Sequence, residues 1–363
     1  MRFAVGIVIA CTGCKSLLGI DDGVVAEPGA DARVDDAMPD ASACVGPDEF
    51  AICSTTPPAQ TTSFVTETTI DTTLCIQGSL DPRGWCVISA RTMSIDAHVH
   101  VVGSRPAVFF ATTSLIVSVN GLVDASSGTG IFGGSGAGAN PSECPAAGTG
   151  MAAPAGGGGG AGGTLGTRGG NGGFGASGQT ARGVSTPVVA GAIGLRGGCK
   201  GGKGGAPSAV AGDGGGAVYL VAGDTLLVHG MINASGGGGG AGNASKGGGS
   251  GGGSGGVVFL AAPMITVDGA IWAHGGGGGG GADNGASGSP GGVSTAPTVV
   301  GAGGAPGSTL AGRGGNGGSG AAAGSPGTDD TTGAGGGGGG GGVGVIRVFG
   351  TVSNAGTISP PPS

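Results

Sequence analysis

The chain has 363 residues, 97 of them glycine, with 10% charged residues and a formal net charge of −7. So low a charge density excludes a highly charged disordered chain, and the absence of a basic stripe argues against nucleic-acid binding. Glycine at this level without a strict Gly-X-Y period, and with only 20 prolines, excludes collagen.

Residues 1–14 read as an export signal. Met1-Arg2 followed by Phe3 to Ala10 is a positive end and a short apolar run, too short to span a bilayer as a helix. Val8-Ile9-Ala10-Cys11 resembles a bacterial lipobox, and Cys14 after Thr12-Gly13 is the second lipidation candidate. The competing reading is a plain secretory signal with incidental cysteines. Residues 15–43 form an acidic tether with Pro28 and Pro39 and no sustained period, the composition of an extended, solvated segment. The expected location is therefore the cell envelope, at the outer membrane or cell surface, with the membrane reached through a lipid anchor.

Six more cysteines follow: Cys44, Cys53, Cys75, Cys86, Cys144 and Cys199. In an exported chain an even set is most simply read as disulfides, with fifteen connectivities open. Sequence proximity favours Cys44–Cys53, Cys75–Cys86 and Cys144–Cys199, the last stapling a glycine-rich insertion at its ends. Zinc is the rival, but no CxxC pair occurs outside the leader.

Residues 44–126 begin a series of apolar strand units. Cys86–Ala90 with Met93–His100, and Ala107–Ala111 with Leu115–Ala125, are β-branched or aromatic and partly alternating, which fits strands. Two further units at 216–235 and 256–274 interrupt the block 127–342, which holds 84 of the glycines. A last unit lies in 343–363, ahead of a Pro-rich tail. Gly121, Gly230 and Gly269 recur at one point of three units and suggest a bend where no side chain fits. Strand units at a repeating point, with insertions of unequal length, predict an all-β parallel β-helix or solenoid of about five rungs. A β-sandwich with glycine loops is the alternative.

The insertions contain runs such as Gly156–Gly160 and Gly335–Gly342, and the near copies Arg168–Gly173 and Arg313–Gly318. A flexible coil competes with polyglycine II-like packing of extended threefold helices. The repeated runs and the Cys144–Cys199 clamp lean toward partial packed order.

Candidate chemistry is sparse. GxGxxG-like matches lack a following helix, and Asp213, Asp224 and Asp283 are isolated rather than part of a calcium repeat; Asp329-Asp330 is the nearest approach to one. His98 and His100 would share a strand face, leaving a two-histidine metal site geometrically open, but no third ligand is evident and no metal is assigned. His229 and His274 read as turn residues. Asp96, Asp124, Asp224 and Asp268 could line a groove, yet no basic partner recurs with them, so no catalytic or cofactor-binding residue and no cofactor is assigned. The Thr66–Thr73 run suggests ice or ordered-surface binding, but is short.

The lipobox-like start, the stretch Cys14-Lys15-Ser16-Leu17-Leu18-Gly19-Ile20-Asp21-Asp22, the Ala/Asp/Pro tether and the glycine-rich units together resemble uncharacterised surface lipoproteins of myxobacteria. That resemblance implies envelope attachment and no known activity. The glycine blocks are also similar to those of mycobacterial PE-PGRS proteins, whose helical leader domain this chain lacks. The expected role is non-enzymatic: structural or adhesive, toward a surface glycan, matrix or neighbouring cell. The alternatives are a β-helix polysaccharide lyase or hydrolase and ice or ordered-surface binding.

Overall fold

The computed structural model describes residues 43–54, 58–128, 134–188, 194–205 and 210–363. Cys11 and Cys14, with the leader and nearly all of the tether, lie outside them. Among the described residues there are sixteen strands and no α-helix, and so no helix long and apolar enough to cross a membrane.

The strands are β1 (Ala43–Val45), β2 (Ile52–Ser54), β3 (Thr61–Phe64), β4 (Thr68–Asp71), β5 (Ser79–Leu80), β6 (Cys86–Ile95), β7 (His98–Val102), β8 (Ala107–Val117) and β9 (Leu122–Asp124). They continue as β10 (Ala217–Ala222), β11 (Thr225–Val228), β12 (Met231–Asn233), β13 (Val257–Val267), β14 (Ala270–Trp272), β15 (Val345–Asn354) and β16 (Thr357–Ser359). In the larger sheet, β3, β6, β8, β10 with β11, β13 and β15 follow one another, all parallel. In the smaller one β4, β7, β9, β12, β14 and β16 follow in the same order, also parallel. The chain therefore visits both sheets in each of six successive tiers. A meandering antiparallel sandwich would not give this pairing.

Five units were legible in the sequence; the sixth tier is the threonine-rich β3 and β4 at the N-terminal end. Its strands are mostly exposed on their outer faces, so they lack the apolar runs that mark the others.

Register explains the core. Ile88, Phe109, Leu220, Leu260 and Val348 align across the larger sheet, and Val99, Val123, Ile232, Ile271 and Ile358 across the smaller. Both columns face one hydrophobic cluster between the sheets. Each fully buried Leu, Ile or Phe there contributes roughly 1.5–3 kcal/mol. The opposite face of the larger sheet carries a second cluster, where Tyr219 and Phe259 pack with Phe50, Trp85, Leu165 and Leu195. Burial on both faces is why β10 and the first half of β13 are uninterruptedly apolar.

The recurring glycines stack at the corner between the sheets. A Cβ on Gly230 would strike the Gly121 carbonyl oxygen, and one on Gly269 the Gly230 carbonyl oxygen. No side chain fits because successive tiers approach backbone to backbone.

The long glycine runs hydrogen-bond side by side with a period of three. Gly335, Gly338 and Gly341 donate N–H to the carbonyls of Ala282, Gly279 and Gly276. Gly336, Gly339 and Gly342 donate to Gly157, Gly160 and Gly163, while Gly337 and Gly340 donate to Thr328 and Ser325. The carbonyls of the same run accept from Gly312, Gly315 and Gly318, from Gly249, Gly252 and Gly255, and from Gly173 and Gly170. Each third residue thus faces the same neighbour, and six neighbouring segments surround one run. The run Gly275–Ala282 is bonded in the same way, donating to 312–318, 247–253 and 289–292. Threefold extended segments meet this pattern because backbone groups then radiate in three directions. A Cβ on Gly337 would collide with the Arg313 carbonyl oxygen, so glycine is what lets the backbones close up.

The near copies Arg168–Gly173 and Arg313–Gly318 occupy comparable lattice positions, both beside run 335–342. Asn171 Oδ1 accepts the Ser185 amide and Asn316 Oδ1 the Gly303 amide, so each asparagine ties its segment to another neighbour.

The three disulfides are Cys44–Cys53, Cys75–Cys86 and Cys144–Cys199, the pairing of nearest cysteines. The first closes the antiparallel β1–β2 pair, where the two cysteines lie directly opposite. The third closes 55 residues and clamps the first insertion beside the second apolar cluster. Three such bonds belong to an oxidising, exported environment.

Candidate functional site

The corner between the sheets gathers several of the titratable residues that recur at strand ends. Backbone bonds place Asp96, Ser118, His229 and Asp268 on successive tiers of one column. Asp96 accepts hydrogen bonds from Ser118 and from Ser94, which hold its carboxyl below the usual value. His229 Nδ1 lies 2.7 Å from Asp268 Oδ1. Three tiers at the usual strand spacing put Asp96 and Asp268 about 14 Å apart. Carboxylate pairs that cleave glycosidic bonds stand roughly 5–9.5 Å apart.

Asp224 sits exposed between β10 and β11. Asp124 ends β9, on the outer face of the smaller sheet. The structure therefore does not bring Asp96, Asp124, Asp224 and Asp268 together. Ion pairs of Lys or Arg among the described residues are Arg83–Asp81 and Lys200–Asp213, and neither involves these four.

What the fold does assemble is a histidine–carboxylate group. In the smaller sheet Val99 and Val123 point into the core, so alternation turns His98, His100 and Asp124 outward. His100 pairs with Asp124 in the strand register, and Glu67 stands one residue before the Thr68–Val99 pairing. His100 Nε2 is 3.1 Å from Glu67 Oε1, and His98 Nε2 is 3.4 Å from Asp124 Oδ2. His100 Nδ1 reaches to 3.9 Å from the same Asp124 oxygen. The two imidazoles lie against each other, with centroids 3.7 Å apart. Glu67, His98 and His100 can present one ligand atom each, all within 4.8 Å of one another. The sequence shows two of these three; Glu67 lies 31 residues before His98, and only the stacking register reveals it.

His274 is not a turn residue on the surface. It is buried, with Nδ1 2.9 Å from Ser294 Oγ and Nε2 2.6 Å from Ser359 Oγ. Burial lowers its proton affinity, partly opposed by the Val299 carbonyl.

The aspartates of the glycine block are anchors. Asp330 accepts the amides of Ser177, Gly333 and Ala334, and Asp329 that of Phe174. Desolvation raises the Asp213 carboxyl, but Lys200 at 2.7 Å, Ser135 and Asn140 outweigh it and hold it below the usual value. Asp283 accepts from Asn284 N–H and Ser308 Oγ.

The glycine runs themselves are buried inside the bundle, not displayed as a glycine surface. Solvent meets the connecting segments instead, where small uncharged residues such as Ala146, Pro154, Ser287, Ala322 and Thr328 are exposed beside a few charged ones, Glu143, Arg168, Lys200, Arg313 and Asp329. A second uncharged surface lies on the larger sheet. Thr61, Thr92, Ser114, Thr225, Met264 and Thr351 form one outward column, and Ser63, Ser94, Ile116, Leu227, Thr266 and Ser353 the next. Thr61 and Thr92 hydroxyls are 2.8 Å apart, and Ser94 donates to Ser63 at 2.9 Å.

The chain matches no family model, no curated protein and no solved structure.

Proposed function

We propose that this protein is an exported, lipid-attached, non-enzymatic component of a bacterial cell envelope, akin to the myxobacterial surface lipoproteins. In this reading the six tiers are rungs of a parallel β-solenoid and the insertions a polyglycine II-type bundle leaving one corner of it. The observation that carries the reading is the glycine lattice: the backbone donors and acceptors of its runs are used internally. Such a bundle is a stiff, neutral support. What it offers a surface glycan, matrix or neighbouring cell is the set of loops around its rim, rich in small uncharged residues with a few scattered charges, which suits broad, weak, multivalent contact.

Three disulfides support export, and Cys11 or Cys14 supplies the lipid attachment. Envelope fractionation with lipid labelling tests the anchor: Cys11→Ser or Cys14→Ser should release the protein in soluble form. Release by neither variant removes the anchor from the account. Glycan-array binding tests the adhesive role, and cleavage of any arrayed glycan would replace it by a lyase or hydrolase.

The two hydroxyl columns of the larger sheet favour a second reading, binding to ice or another ordered surface. In the first column the hydroxyls of Thr61, Thr92, Ser114 and Thr225 follow at the strand repeat of about 4.8 Å before Met264 interrupts them. Inhibition of ice recrystallisation that is lost in a Thr92→Val/Thr225→Val variant would establish it.

A further inference from the structure

We propose that Glu67, His98 and His100 bind one divalent transition-metal ion, zinc foremost, on the outer face of the smaller sheet, with Asp124 positioning the histidines. This goes beyond the envelope role and stands on separate observations.

The donor set is the first. Two imidazoles and a carboxylate suit zinc and its first-row neighbours rather than calcium or magnesium, which take oxygen ligands. Four-coordinate zinc with bonds of 2.0–2.2 Å needs ligand atoms about 3.4 Å apart. Glu67 Oε1 and His100 Nε2 already stand at 3.1 Å, and all three residues offer atoms within 4.8 Å. Small rotations of the largely exposed Glu67 and the partly exposed histidines close the rest.

The support is the second. His98 and His100 flank Val99, which is fully buried in the core, so the strand holding both is fixed. Asp124 lies 3.4 Å from His98 Nε2 and 3.9 Å from His100 Nδ1, and its other oxygen accepts the Ser126 amide. A carboxylate held this way on a ligating histidine fixes ring orientation and strengthens the ligand.

Charge is the third. Glu67 and Asp124 put two carboxylates beside the imidazoles, and no Lys or Arg among the described residues forms an ion pair with them. A divalent cation balances them.

The location gives the ion a task. Among the described residues β4 is the last strand of its sheet, paired only with β7. A metal joining Glu67 to His98 and His100 would staple that strand to β7.

The test is equilibrium dialysis of the full chain against zinc in a non-chelating buffer, in a Cys11→Ser/Cys14→Ser background that removes the leader thiols as rival ligands. The expected result is one zinc per chain. Binding should vanish in His98→Gln/His100→Gln and weaken at least ~10-fold in Glu67→Gln and Asp124→Asn. His229→Gln, remote from the group, should bind as the parent does. Cobalt substitution should give the intense visible absorption of a low-coordinate site, lost in the same variants. Should the double histidine variant misfold, Glu67→Gln, altered at a largely exposed side chain, decides. No zinc bound by the parent, or undiminished binding in Glu67→Gln and the histidine variant, overturns the proposal.

Discussion

The stacked sheets and the glycine bundle are ordered by opposite means. In the sheets, side chains do the packing: Phe109, Leu220 and Leu260 stack in register and their removal from water holds the tiers together. In the bundle side chains are nearly absent, and order rests on backbone hydrogen bonds among segments such as 157–163, 249–255, 275–282 and 335–342. Each such bond contributes about 1 kcal/mol net, while ordering a residue's backbone costs about 1–2 kcal/mol and glycine more than any other. A bundle of this kind does not stand alone. It is carried by the sheets, whose parallel register runs directly into it through Ala125, Ala234 and Ala273, and by the Cys144–Cys199 clamp.

The largest effect is expected from the sheet side. Phe109→Ala should cost about 3–5 kcal/mol and, because the bundle depends on the sheets, should lower the stability of both regions together. Denaturant unfolding followed separately by tryptophan fluorescence and by exchange of glycine amides checks it. Divergent transitions would show that the bundle does not need the sheets.

Removing the clamp with Cys144→Ser/Cys199→Ser should cost up to about 4 kcal/mol by the loop-closure estimate for its 55-residue separation. Here the loss should be unequal. Limited proteolysis should cut the first insertion while the sheet tiers remain protected.

Within the bundle, one methyl group should matter. Gly337→Ala forces a Cβ onto the Arg313 carbonyl and should cost about 1–3 kcal/mol. Gly194→Ala, where a Cβ meets nothing within 4 Å, should stay within about 0.5 kcal/mol. Equal effects in the two would mean that the lattice is not close-packed.

The smallest effect is a pH dependence at the seam between the regions. His274 has its folded proton affinity depressed below the ordinary value of 6.5, so the unfolded chain takes up the proton first. Its contribution is complete above pH 6.5 and falls as pH drops below that value, by at most about 1.4 kcal/mol per pH unit. Asp81, Asp96 and Asp213, held below 3.8, act only in more acidic solution. Urea midpoints at pH 7.5 and 5.5, measured with a chelator, should differ less in His274→Gln than in the parent.

What the sequence disclosed follows the same division. The sheet tiers were legible because Val257–Ala262 and Ala217–Ala222 carry β-branched and aromatic side chains at recognisable spacing. The nearest-cysteine pairing needed only proximity. The outermost tier was missed because Thr61–Phe64 and Thr68–Asp71 bury little and so lack an apolar signature. Glu67 was missed as a partner of His100 because their closeness is created by stacking register, which no local motif encodes. Lattice partners could not be read at all, since one glycine run looks like another.

Amide hydrogen exchange resolved at the glycines of 275–281 and 335–342 shows whether the runs are bonded side by side. A hydrogen-bonded lattice predicts that these amides exchange as slowly as those of β8 and β13, with every position in each run protected. Exchange at the rate of an unstructured glycine chain would contradict it.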